Sequence, residues 1–147
     1  MSGINLKRTP ADIAMSLLVR YRAGWRCQVN GEQFEERSPL LDNAHFWPRG
    51  DAFRPTRYVL DNCLAACRRC HGEVLGPNRA LHAAIIIQRL GQGRFDEIER
   101  LAHSIVPRRL IDEAAIAAGF RADLLREFGV TVSGRGPALS TFRPGYR

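Results

Sequence analysis

The chain has 147 residues, with 45% hydrophobic and 25% charged residues. That length and balance fit one globular domain with short appendages, and exclude wholesale disorder, collagen and coiled coil. The longest apolar run, Ala83 to Ile87, is far too short to span a bilayer, and no secretion signal is expected. The formal net charge is +7 and Lys7 is the only lysine, so the excess is carried by arginine. A guanidinium presents a planar fork of donors that matches two phosphate oxygens at once, which makes a polyanion such as nucleic acid the expected partner. The competing reading is a soluble basic protein with an arginine-rich composition.

In chain order, Thr9-Pro10 predicts a helix cap and first turn, and Ile13, Ala14, Leu17, Leu18 and Tyr21 continue it at helical spacing. Trp25 to Phe34 reads as a hairpin turning at Asn30-Gly31. Leu40 to Trp47 predicts a strand, Pro48 to Asp51 a loop, Thr56 to Leu60 a second strand, and Cys67 to Val74 a short helix. Helical patterns begin again at Leu81 and at Phe95. A further one or two helices lie between Leu110 and Phe128, with Gly119 as a break. Residues 130–147 read as a flexible basic tail, with Gly, Pro, Ser and Arg and no acid. The expected division is an N-terminal helix over 1–24, a core over 25–78, a helical extension over 79–129 and that tail.

Four cysteines stand at 27, 63, 67 and 70. Cys67-Arg68-Arg69-Cys70 has the spacing of a metal-binding pair, and without a signal peptide the cluster points to metal rather than to a disulfide framework. Around it lie three polar residues. His45 sits inside an apolar strand, Asn62 precedes the cysteines, and His71 follows Cys70. A histidine titrates near neutrality and can serve as a base for water. Another can hold a divalent metal that neutralises charge on a phosphate. An asparagine can hydrogen-bond the intervening loop without titrating.

"DNAHF" followed by "LDNCLAACRRCH" resembles the HNH (ββα-metal) nuclease motif. With "NAHFWPRG", "TRYVLDN", "CRRCHGEVLGPN" and the helical stretch from Leu81 to Leu101, residues 24–127 resemble the phage NinG/Rap recombination nucleases. The resemblance implies an α+β fold, with a small ββα-metal core, an N-terminal helix and several C-terminal helices. It implies a cytoplasmic, phage-encoded or bacterial endonuclease acting on branched DNA such as Holliday junctions. His45 matches the general base, Asn62 the middle asparagine that fixes the loop, and His71 a ligand of the catalytic Mg²⁺ or Mn²⁺. Asn78 matches another polar position.

Two positions depart from the family. The residue before the base, often a second metal ligand, is Ala44 here; Asp42 or Asn43 are substitutes, and strand alternation puts only Asn43 on the face of His45. The first of two CxxC pairs is reduced to Cys27. Cys27, Cys67 and Cys70 plus a fourth ligand form a structural zinc site, or packing of the Trp25 hairpin replaces it. Arg49, Arg54, Arg57, Arg68 and Arg69 are the expected phosphate contacts. Phe46 and Trp47 either stack on bases or pack the core. Cys63, His82 and His103 read as structural or surface residues, and Asn62 alternatively as a cap or turn residue. Two cuts in a junction favour a homodimer with its interface over 79–128. The rival functions are a non-catalytic DNA-binding module and a sequence-preferring nicking or restriction-type nuclease.

Overall fold

The computed structural model describes residues 7–132. The fold is α+β, with four α-helices and a two-stranded antiparallel sheet among the described residues. Residues 133–147, most of the expected tail, lie outside them. Residues 130–132 are described, and Val130 is buried.

The described residues divide into two compact units, residues 7–18 with 107–132 and residues 19–106. Helix α1 (Pro10–Arg22) begins in the first and ends in the second. Its start is held by a reciprocal pair. The Asp12 amide donates to Thr9 Oγ1 at 3.1 Å, and the Thr9 amide donates to the Asp12 carboxylate at 2.8 Å. Each bond satisfies a donor that the first helical turn otherwise leaves open. In the first unit, α1 buries Ala11, Ala14, Met15 and Leu18, and α4 (Glu113–Phe128) buries Ala117, Phe120 and Leu124. Helix α4 runs unbroken through Gly119, contrary to the expected break, and closes at Gly129 in the left-handed conformation. A single helical glycine costs only about 1 kcal/mol, which the buried face offsets.

The second unit is built around strands β1 (Leu41–His45) and β2 (Cys63–Cys67), with Leu41 opposite Cys67 and His45 opposite Cys63. All five residues of β2 are buried. Its second edge is closed by Gln28, whose backbone amide donates to Ala65 O at 2.8 Å while its side-chain oxygen accepts from the Ala65 amide at 2.9 Å. The expected strand over Thr56 to Leu60 is absent. Short 3₁₀ turns over Asp51–Thr56 and Leu60–Asn62 stand there instead, and the second strand begins after Asn62. Pro55 lacks a donor for a ladder, and Asn62 engages the Thr56 carbonyl from the side. The expected hairpin over Trp25 to Phe34 is a turn with one isolated bridge, Arg26 to Gln33, and Gly31 at φ 79°.

After β2, Cys70–Leu75 forms a π-type turn, in which the Gly76 amide reaches back to His71 O at 3.1 Å. A Cβ at Gly76 would lie 2.8 Å from the Gly72 carbonyl oxygen, so this close backbone approach needs glycine. The helix ends there. Asn78 caps the next one, accepting from the Leu81 amide at 3.0 Å, so it does not extend the His71 face. Helices α2 (Arg79–Leu90) and α3 (Gln92–Ala102) complete the unit. No helix among the described residues is long and apolar enough to cross a membrane.

Candidate functional site

Strand β1, the loop after it, strand β2 and the π-type turn bring the singled-out side chains into one region of the second unit. Asn62 is fully buried at the start of β2. Its Oδ1 accepts from the Trp47 amide at 2.9 Å, and its Nδ2 donates to the Trp47 carbonyl at 3.0 Å and the Thr56 carbonyl at 3.3 Å. One side chain thus ties both ends of the loop between the strands. The Asn62 carbonyl also accepts from the Phe46 amide at 2.8 Å, which sets the level of His45 beside β2.

His45 is half-buried, and its Nε2 lies 3.1 Å from the carbonyl oxygen of Arg57. A carbonyl only accepts, so this contact places the ring proton on Nε2 and the lone pair on Nδ1. His71 lies on the π-type turn. Its Nδ1 is 3.2 Å from the Asp42 carboxylate, and Arg68 reaches the other Asp42 oxygen at 3.5 Å. The carboxylate fixes the proton of His71 on Nδ1 and leaves the lone pair on Nε2. Of the two residues named as substitutes at the position before the base, Asp42 is the one that meets His71. Strand alternation puts Asp42 on the face opposite His45, but the turn after β2 brings His71 to it. Asn43 instead holds a buried Oδ1 without a partner. Ala44 is fully buried.

Arg79 was not singled out from the sequence, and His82, read as structural or surface, is a buried residue. His82, on α2, is 4% exposed and packs edge-on against Phe46 at 5.2 Å, with a buried Nε2 that has no hydrogen-bond partner. Burial pushes its pKa down to about 4, and Arg79, His71 and His45 add to the shift through their charges. Arg79 stacks over the Phe46 ring at 4.1 Å and donates to the Phe46 carbonyl at 2.8 Å. Phe46 is buried in the core, and Trp47 packs edge-on against Phe46 and His103. The Asn78-Arg79 helix start was the one signal in the sequence that α2 points a basic residue back toward the strands.

The five arginines differ in engagement. Arg54 pairs with Asp51 at 3.4 Å and donates to the Val106 carbonyl at 3.2 Å. Arg68 donates to the Pro39 carbonyl at 2.8 Å as well as reaching Asp42, and Arg69 pairs with Glu73 at 3.6 Å. Arg57 lies over the Tyr58 ring at 5.4 Å, and Arg49 is half-buried.

Cys27, Cys67 and Cys70 are buried, and their sulfurs all lie within 4.8 Å of one another. The Cys67 amide donates to Cys27 Sγ at 3.3 Å and the Cys70 amide to Cys67 Sγ at 3.4 Å, bonds that stabilise thiolates. This donor set suits a thiophilic cation such as zinc. Asn30 stands three residues after Cys27, as Cys70 stands three after Cys67, and its Nδ2 is 3.7 Å from Cys67 Sγ. The group that would be a fourth cysteine in a paired CxxC is therefore a carboxamide. Cys63 is buried apart from this group and reaches toward the Val59 carbonyl at 3.9 Å.

No family model matches the chain, and neither a curated protein nor a solved structure is found to be similar to it.

Proposed function

We propose that the chain is a metal-dependent endonuclease of the HNH type that hydrolyses DNA phosphodiester bonds, with branched recombination intermediates as its substrates. The observation that carries this reading is the contact between His45 Nε2 and the Arg57 carbonyl, 3.1 Å long. A ring held by a backbone carbonyl keeps one tautomer with its other nitrogen unprotonated, which is what a base for water requires. Held this way, Nδ1 of His45 takes a proton from the attacking water. Asn62 keeps Trp47 and Thr56 in place and so holds the loop that carries the Arg57 carbonyl. His71 Nε2 would hold the divalent cation, oriented by Asp42 on Nδ1. When bound, Mg²⁺ or Mn²⁺ supplies charge neutralisation at the scissile phosphate. Arg49 and Arg57 steer the backbone into the site. A zinc ion on Cys27, Cys67 and Cys70 would tie the turn after α1 to the end of β2. Resolution of a junction needs two cuts, and a homodimer provides two sites.

A second reading, a DNA-binding module without catalysis, is favoured by one observation. Ala44 is fully buried and offers no ligand at the position before the base. Cleavage of a labelled four-way junction and its matched linear duplex, each with Mg²⁺, Mn²⁺ or EDTA, separates these readings. Paired metal-dependent cuts confined to the junction support the first. Equal cutting of both substrates removes the branched preference, and mapping those cuts then tests for a sequence-preferring nuclease. Binding with no cutting under any metal supports the non-catalytic module.

A further inference from the structure

A cleft in the second unit lies between the end of α1, the turn after it and α2. Its wider part, about 490 Å³, is lined by Arg22, Arg26, Gln28, Gln88 and Arg89, and by no carboxylate. A recess of about 100 Å³ shares Arg22, Gln28 and Arg89 and continues to Leu60, Leu64 and Ile86. The acid in the recess, Asp61, is engaged by Arg94 at 2.8 Å.

Arg22 and Arg89 each stand in the last turn of a helix, where the macrodipole favours a cation by about 0.3–1 kcal/mol. That accounts for a cation at each helix end. It does not account for both meeting Arg26 around one space whose lining holds no carboxylate. Arg26 is also aimed: its Nη1 donates to the Gly31 carbonyl at 2.8 Å, which fixes the guanidinium and leaves its charge. The Gln28 carboxamide spends its oxygen on the Ala65 amide, so its nitrogen stays available as a donor. Forked donors from separate elements around an open space suit phosphate oxygens. The apolar floor of the recess adds a surface on which a sugar packs and from which a free inorganic ion gains nothing.

We propose that this cleft binds successive phosphates of a nucleic-acid backbone, as a contact surface separate from His45, Asn62 and His71. The proposal deepens the nuclease reading, but its test does not depend on cleavage. Fluorescence anisotropy of a labelled DNA duplex with the full chain, in EDTA across a KCl series, gives the slope of log affinity against log salt. The slope of the Arg22→Gln/Arg89→Gln variant is expected to be shallower by about two, roughly one for each lost phosphate contact. Arg100→Gln/Arg126→Gln, a pair of exposed arginines outside the cleft, leaves the slope unchanged, and circular dichroism checks that both variants fold. Polyglutamate of matched charge fails to displace the duplex. An unchanged slope, an equal change in the control pair, displacement by polyglutamate, or no duplex binding at low salt each overturns the proposal. A changed slope in a protein that never cuts keeps the cleft and removes the nuclease reading; cutting with an unchanged slope does the reverse.

Discussion

The Asp42 carboxylate lies 3.2 Å from Nδ1 of His71, although 29 residues separate the two in sequence. A carboxylate behind a histidine fixes its tautomer and raises the basicity of the distal nitrogen. With the cation held by His71 as proposed, Asp42→Asn should weaken Mn²⁺ binding by about 10–100-fold, read by the loss of the free-ion electron paramagnetic resonance signal in a titration. His71→Ala removes that site. An affinity unchanged by Asp42→Asn would mean that the carboxylate serves only Arg68.

Asn62 gives the cleanest stability prediction. It is fully buried and makes three side-chain hydrogen bonds to the backbone at positions 47 and 56. Asn62→Ala leaves the Trp47 amide and two carbonyls without their partner, at a cost of about 3 kcal/mol. Urea unfolding followed by circular dichroism measures it. A loss below about 0.5 kcal/mol would show that water replaces the carboxamide and that the loop does not depend on it.

His82 predicts a pH dependence. Its folded-state pKa is lowered to about 4, chiefly by burial. Below its ordinary value of about 6.5 the unfolded chain binds a proton that the fold refuses, so its contribution is complete above that pH and declines as the pH falls toward 4. The full loss is about 3 kcal/mol. Urea midpoints at about pH 7.5 and about pH 4.5 should diverge less in His82→Leu than in the wild type. Equal divergence would mean that His82 takes up its proton alike in the folded and unfolded chains.

The three-cysteine group predicts a metal whose fourth position is not a cysteine. Co²⁺ bound to the wild type should show thiolate charge-transfer absorption at about three-quarters of the intensity reached by Asn30→Cys, which should also bind more tightly. Chelation should lower the melting temperature of the metal-loaded protein. Matching Co²⁺ spectra in wild type and variant would place Asn30 away from the ion.

The sequence carried most of the local structure. The Thr9-Pro10 start of α1, strand β1 and the cysteine cluster follow from capping, apolar patterning and spacing. Strand β2 was hidden because Cys63–Cys67 is small and buried on both faces, so it shows neither alternation nor bulky β-formers. Thr56 to Leu60 looked more strand-like, but Pro55 and the side chain of Asn62 organise that stretch into turns. Periodicity found α2 without telling which side chains it sends to the strands. His82 and Arg79 meet Phe46 across 36 and 33 residues, and no local pattern encodes that contact.

The central claim is that His45 is the base. The most direct measurement is single-turnover cleavage of supercoiled and four-way-junction DNA by wild type and His45→Ala, with Mg²⁺ or Mn²⁺, at equal DNA binding. Loss of the base should slow cutting by about 10²–10⁴-fold while binding persists. Undiminished cutting by His45→Ala would contradict the account and move the chemistry to other side chains.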